Sequence, residues 1–276
     1  MELHDLAHTL DYGGGSRWVI EDEPLLGWAR ENSVPPASSQ ILALEEDIIP
    51  LRYLKNLFAL SVAEQLHICR GRVFICGCGG LGGVLINLLA RAGVGGITAA
   101  DYDVFAPSNL NRQWLSDVRQ LARPKVTTAL ERVAAINPFV ELQALEVSVD
   151  SSNAKNLMRG VDLALDAMDN IEGRFVIAEA ARRLGIPFIH AAVAGWWGQV
   201  STFLPGSDVG LSSIYGERRL KDPAEDAVGV LGPAAAVVGS LQAFESLRIL
   251  AGRQPSYVNR LLYFDGESGI MEFLPL

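Results

Sequence analysis

The sequence predicts an α/β protein: a doubly wound, mostly parallel sheet with antiparallel strands at its C-terminal end. Three observations carry that prediction. Short apolar runs alternate with helical stretches from Arg72 to His190, the pattern of strand–helix–strand units with right-handed crossovers. One junction reads Val73-Phe74-Ile75-Cys76-Gly77-Cys78-Gly79-Gly80-Leu81-Gly82-Gly83, a strand, a glycine turn and a helix in succession. After His190 the helical units give way to extended runs, which makes the whole Rossmann-like with an antiparallel addition.

Residues 1–44 read as an N-terminal arm, set apart from a domain over 45–276. Gly13-Gly14-Gly15 and Pro35-Pro36 mark loops, so an irregular arm with at most a short helix is expected. From Glu45 to Cys69 the pattern turns helical and contains Arg52-Tyr53-Leu54-Lys55. Strand 73–77 then leads into helix 80–92, whose Val84, Leu85, Leu88, Leu89 and Ala92 share a face. Strand 97–101 ends in Asp101, and a polar loop follows to Ser116. Pro124 suits the first turn of a helix running to Ile136. Strand 140–147, helix 151–159 and strand 161–166 come next. A helix over 171–184 stops at Gly185, and strand 186–190 ends at His190, read as a strand-end hydrogen-bonding residue. Gln199–Leu204 is extended, and 205–228 is polar and reads as a long mobile loop. A helix rich in small residues spans 232–251. Leu261–Phe264 and Gly269–Phe273, joined by Asp265-Gly266-Glu267-Ser268, read as a hairpin.

Composition excludes several classes. Net charge is −9 and no basic run stands out, which argues against a nucleic-acid surface. The N-terminus lacks the basic and apolar regions of a signal peptide. No apolar run approaches the roughly 20 residues of a membrane span. The three cysteines, Cys69, Cys76 and Cys78, are odd in number and clustered. That argues against a disulfide framework and for the reducing cytoplasm.

The chemistry begins at the glycines. Gly77, Gly79 and Gly82 have the spacing G-x-G-x-x-G, with Gly80 beside them, and let main-chain amides approach a phosphate at a helix N-terminus. Asp101, about 20 residues on, is placed for ribose hydroxyls. These features indicate an adenosine nucleotide and leave NAD and ATP open. Five further patterns bear on that choice. Asp101-Tyr102-Asp103 precedes Asn109, Arg112 and Gln113, and a triphosphate needs such a cation where a dehydrogenase does not. Arg112 read alone is equally a surface arginine. Lys125, in the first turn after Pro124, opposes the helix dipole, which suits a phosphate contact; a solvated lysine is the plain alternative. Asp169 in Met168-Asp169-Asn170 suits either Mg²⁺ on phosphates or a helix N-cap. Arg52 and Lys55, at i and i+3, form a basic pair on a helix. No cysteine follows Cys78, so no thiol is available for a distal thioester, and no Cys-x-x-Cys pair exists for structural zinc. Trp196-Trp197 reads as a partner patch rather than as packing.

Taken together, these residues resemble the ThiF/MoeB/HesA family, the bacterial relatives of ubiquitin-activating enzymes. The resemblance runs from Glu45 to Phe273 and includes Ser108-Asn109-Leu110-Asn111-Arg112-Gln113, Pro124-Lys125-Val126, Ala167-Met168-Asp169-Asn170 and the late helix 232–252. It implies an ATP-dependent adenylyltransferase that activates a carboxylate as an acyl-adenylate. By position, Gly77, Gly79, Gly80, Gly82, Asp101, Asp103, Asn109, Gln113 and Asn170 would bind the nucleotide. Arg112 and Lys125 would act on the phosphates, and Asp169 would hold Mg²⁺. Arg52 would reach the partner subunit's nucleotide in a homodimer. The implied acyl donor is a small ubiquitin-like sulfur-carrier protein ending in Gly-Gly, its tail threading under 205–228. A peptide carboxylate, a modified tRNA nucleoside or a non-catalytic nucleotide-binding scaffold are the alternatives. The zinc cysteines common in the family are absent, and Lys55 stands where arginine is usual.

Overall fold

A computed structural model describes residues 2–217 and 228–276. The apolar run at the glycine turn is strand β4, Arg72–Cys76, an interior strand of an eight-stranded sheet. The strands before it, β1 (His8–Tyr12), β2 (Gly15–Ile20) and β3 (Ile48–Pro50), form a separate three-stranded sheet. Those after it are β5 (Gly96–Ala100), β6 (Glu141–Leu145), β7 (Leu163–Asp166), β8 (Phe188–Ala194), β9 (Trp197–Phe203), β10 (Arg260–Asp265) and β11 (Ile270–Pro275). The order is β11-β10-β9-β8-β7-β4-β5-β6. Pairings from β6 to β8 are parallel, and those from β8 to β11 are antiparallel. The chain runs β4, β5, β6 outward in one direction and then returns to place β7 on the other side of β4. The crevice beyond the ends of β4 and β7 is therefore the topological switch point, where open α/β sheets bind ligands.

The helices that cover the sheet are Gly80–Ala92, Lys125–Ile136 and Gly232–Leu250 on one face, and Ala154–Leu157 and Ile171–Leu184 on the other. With Leu3–Leu6, Asp22–Glu31, Pro36–Glu45, Val62–Arg70 and the single turn Ser212–Tyr215, they are α1 to α10 in chain order. The small residues of α10 (Gly232–Leu250) have a packing purpose. A Cβ on Gly239 would come within 2.9 Å of Val84, so only glycine lets α10 lie this close to α5 (Gly80–Ala92). No helix among the described residues is long and apolar enough to cross a membrane.

Four expectations are corrected. Residues 1–40 are not an irregular arm. Gly13 and Gly14 carry φ of 63° and 83°, the backbone of a two-residue hairpin turn, so the glycines that read as a loop join β1 to β2. The resulting lobe buries Leu3, Ile20, Leu25, Ala43 and Ile48 against Phe139 of the large sheet unit. It is also sealed by polar contacts. The buried Tyr53 hydroxyl donates to Gln40 Oε1 at 2.7 Å and accepts from Asn137 Nδ2 at 2.8 Å. Gln40 Nε2 donates to the Phe139 carbonyl at 2.9 Å. Second, the stretch from Glu45 to Cys69 is not one helix. It holds β3, a 3₁₀ helix at Leu51–Asn56 and α4 (Val62–Arg70). Third, helix 151–159 contracts to α7, Ala154–Leu157. Fourth, His190 is not at a strand end but inside β8, fully buried. Of the loop expected at 205–228, residues 218–227 lie outside the described residues.

Candidate functional site

A cavity of about 270 Å³ opens at the carboxyl ends of β4, β5 and β7. Its floor is the glycine turn. Gly77 has φ 100°, and a Cβ there would sit 2.4 Å from the Ala167 carbonyl oxygen. A Cβ on Gly82 would sit 1.8 Å from the Gly77 carbonyl oxygen. Gly77 and Gly82 thus let the first turn of α5 press against the ends of β4 and β7, while Gly79 and Gly80 border the cavity. Gly79 caps α5 with no side-chain hydrogen bond, so amides of the first turn are left for a ligand.

The polar walls come from the loops after β5 and β7 and from the start of the helix Lys125–Ile136. Asp101, just past β5, accepts from the Cys78 amide at 2.7 Å and the Asp103 amide at 2.8 Å. Burial raises its carboxyl above the ordinary range and outweighs those bonds and the nearby Lys125 charge. Lys125 opens α6 (Lys125–Ile136) and is only 6% exposed; its Nζ lies 3.0 Å from Asp103 Oδ2. Arg112 donates to the Ser108 carbonyl and to Asn111 Oδ1, both at 2.9 Å. Gln113 is buried at the cavity wall, and its Oε1 has no partner among the described residues. Asp169 is exposed at the mouth and accepts from Asn170 Nδ2 at 3.1 Å. The N-cap of α8 (Ile171–Leu184) is Asn170, whose Oδ1 accepts from the Gly173 amide at 2.7 Å. Asp169 is therefore not spent on capping.

Asn109 does not border the cavity; its Oδ1 closes a local turn on the Ala106 amide at 2.9 Å. Arg52 also stands outside it. Its guanidinium pairs with Asp22, donates to the Ile136 carbonyl at 3.1 Å and lies over the Phe139 ring. Of the tryptophan pair, Trp197 stacks on Tyr263 and Trp196 is 54% exposed. Several bordering residues escaped the sequence reading, Val147, Ser148, Val149, Val193 and Val230 among them, and one of those missed is charged. Arg174, one helical turn beyond Asn170, pairs with the buried Asp166 at 3.0 Å. Its position at i+4 from the cap was the available signal. A wall of sulfur completes the floor, Cys76 Sγ lying 3.3 Å from Met168 Sδ.

These residues fit a nucleotide. A glycine cradle that a Cβ would fill, a buried amide oxygen unpartnered among the described residues, the cations Arg112 and Lys125 and the exposed carboxylate of Asp169 suit a phosphate chain and a sugar. Among the described residues no group of three His, Cys, Asp or Glu side chains is gathered for a metal. Asp169 alone suits Mg²⁺, which keeps waters and takes phosphate oxygens as further ligands.

A family model described as the ThiF family matches residues 53–276. The chain is 33% identical to a probable adenylyltransferase/sulfurtransferase MoeZ of Mycobacterium tuberculosis, over 84% of this chain and 61% of that protein. It thus spans about three fifths of that relative. It is 36% identical to a sulfur carrier protein adenylyltransferase of Thermus thermophilus, over 78% of this chain and 82% of that one. In fold it is similar to MccB of E. coli, with a TM-score of 0.71 at 16% identity, over 99% of this chain and 96% of that chain. The fold, the cavity and these matches lead to one conclusion: the chain belongs to the ThiF family.

Proposed function

We propose that the cavity binds ATP and that the protein adenylates the C-terminal carboxylate of a small ubiquitin-like sulfur-carrier protein ending in Gly-Gly. One observation carries the reading: Arg112 and Asp169, from two separate loops, and Lys125, from the first turn of α6, border the same cavity as the glycine turn and Asp101. The donor carboxylate is ionised at neutral pH, so no general base is required. Its oxygen forms a bond to the α-phosphorus while the bond to the bridging oxygen breaks and pyrophosphate leaves. Arg112 and Lys125 offset the negative charge that crowds this step, and the glycine turn aligns the phosphates. Asp169 would hold Mg²⁺, which supplies further charge neutralisation on the phosphates.

The product is passed on without a thioester. All three cysteines are buried, and burial pushes the Cys69 thiol up to about 12 and those of Cys76 and Cys78 well above their ordinary value. Unpaired thiols suit the cytoplasm. The working form is a homodimer in which Arg52 serves the partner's nucleotide, a role consistent with its place outside its own cavity.

The test is ATP–pyrophosphate exchange with purified protein, Mg-ATP and a carrier with a free Gly-Gly terminus. Exchange that requires the carrier supports the reading; a lack of exchange with every such carrier refutes it. Mixing Arg52→Ala and Arg112→Ala chains restores part of the activity if the site is shared. No restoration refutes the shared site.

A further inference from the structure

One residue grips Lys125 at both ends. The Lys125 amide donates to the Asp103 carbonyl at 3.0 Å, and its Nζ donates to Asp103 Oδ2, also at 3.0 Å. That amide is an orphan donor in the first turn of α6, and Pro124 ahead of it offers no capping side chain. Asp103 is itself held. Its amide donates to Asp101 Oδ1 at 2.8 Å, and Asp101 Oδ2 accepts the Cys78 amide of the glycine turn at 2.7 Å. A chain of hydrogen bonds thus runs from the end of β4, past the end of β5, to the Lys125 ammonium. Next to it, Phe105 closes the neck of the loop that carries Arg112. The Phe105 amide donates to the Arg123 carbonyl at 3.1 Å, and its carbonyl accepts from the Ala122 amide at 2.8 Å. Val104 is bridged to Pro124, so the two sides of the neck meet in register beside the Asp103–Lys125 pair.

The grip leaves the cation usable. An ammonium carries three N–H groups. One meets Asp103, and among the described residues no acceptor takes the other two, on a side chain that borders the cavity. No rearrangement is needed for Lys125 to stay paired and to face a ligand. The burial of the two partners is unequal. The Lys125 side chain is 7% exposed, whereas that of Asp103 is 46% exposed, and among the described residues its carboxylate meets Lys125 alone. An ion pair with one partner so open to water adds little to folding. It does fix a direction. A lysine stem has four flexible carbons, and freezing its rotamers opposes every contact the ammonium makes. Asp103 freezes them in the folded protein, before any ligand arrives.

We propose that Asp103 is a positioning residue for Lys125 and acts on the phosphates only through that ammonium. The inference rests on the reading of ATP as the cavity's ligand and of Lys125 as a cation that offsets charge at the α-phosphorus. An ionised carboxylate only accepts hydrogen bonds, as phosphate oxygens do, so Asp103 has nothing to give a phosphate directly. Its charge opposes the bound polyphosphate while its grip aims the cation at the reacting group. The two effects separate: Asp103 serves the rate of the step and not the affinity for nucleotide.

The experiment is a double-mutant cycle on the full chain. Asp103→Ala, Lys125→Met and the double variant are assayed by ATP–pyrophosphate exchange with a carrier that has a free Gly-Gly terminus. Binding of Mg²⁺ and α,β-methylene-ATP is measured by calorimetry. Asp103→Ala lowers the maximal exchange rate roughly thirtyfold, the factor that the rotamer freedom of one lysine supplies. Its affinity for the analogue is equal to that of the wild type or higher. With Lys125→Met already in place, Asp103→Ala causes no further loss of rate. A parallel cycle uses Asp103→Asn, which keeps an acceptor beside Nζ and retains most of the rate. A merely structural role lowers rate and affinity together and persists without Lys125, as does an effect relayed through Asp101. Either pattern overturns the inference and leaves the ATP reading standing. An Asp103→Ala protein with the wild-type rate overturns it too. Wild-type protein that shows no exchange with any such carrier overturns the proposed reaction and the inference with it.

Discussion

The contact between Gly82 and Gly77 makes Gly82→Ala a demanding test of the cavity floor. The new Cβ would lie 1.8 Å from the Gly77 carbonyl oxygen and 2.8 Å from its carbon. A carbon–oxygen contact needs roughly 3.3 Å, so about 1.5 Å must open. The obstacle is main chain at φ 100°, backed in turn by Ala167, and no side chain can swing away. The start of α5 has to shift from the ends of β4 and β7. Overpacking of this kind costs about 2–3 kcal/mol, and the better helix propensity of alanine returns at most about 1 kcal/mol. The net loss lowers the melting temperature by about 2–6 °C. Because the displaced turn is the proposed phosphate cradle, exchange activity falls about 100-fold, the effect of a 1 Å misplacement. Gly83→Ala is the control. Its Cβ would meet Leu115 and the Trp114 amide at 3.4 Å, an ordinary contact, so it melts at or above the wild type. Thermal melting and nucleotide titration of both variants decide the matter. A Gly82→Ala protein as stable as Gly83→Ala, with undiminished affinity, refutes the reasoning.

Three other outcomes are expected. Lys125→Met leaves Asp103 half-exposed and able to take up water, so the melting temperature moves little, while pyrophosphate exchange falls at least about 100-fold. Parallel melting and exchange measurements check this. Stability depends on pH in two windows. His190 is held below its ordinary value, so under about pH 6.5 the unfolded chain binds a proton that the folded chain refuses, and stability falls as pH drops. Asp166 is also depressed; its contribution is complete above the ordinary carboxylate value of about 3.9 and is lost as pH falls through its folded value. His190→Asn should flatten the melting curve between about pH 7 and 5 and leave the lower window in place. Finally, a thiol reagent at neutral pH should modify none of the three cysteines in native protein and all three in denaturant, because burial keeps each thiol protonated and shielded.

What the sequence disclosed depended on how local the signal was. Helices at 80–92 and 171–184 could be placed because apolar spacing and the terminating glycines Gly93 and Gly185, both left-handed, act within a few residues. The cavity's loops could be assembled because each follows the end of a parallel strand, where doubly wound sheets open. Signals that depend on distant partners were hidden. Gly13-Gly14 has the same letters in a loop as in a hairpin; only burial of Ile20 and Leu25 against Phe139 makes it a hairpin. His190 ends one apolar run in the sequence, but β9 extends the strand past it. Arg52 on a helical pattern gave no hint of Asp22, thirty residues earlier, as its holder. Asp169 and Asn170 are adjacent candidates for one cap, and only the bond to the Gly173 amide assigns it.

The Tyr53–Gln40–Asn137 seal makes the first fifty residues a load on the rest of the molecule rather than a detachable extension. Asn137 also holds the Ala90 carbonyl at 2.9 Å, at the far end of the helix that begins in the glycine cradle. Trimming the chain to the segment shared with the family would remove Gln40 and strand the Tyr53 hydroxyl and the Phe139 carbonyl in apolar surroundings. It would also strip the cover from Phe139. Such a shortened product should aggregate on expression, and chemical melting of the full chain should proceed in one step, with the small sheet and the large one lost together.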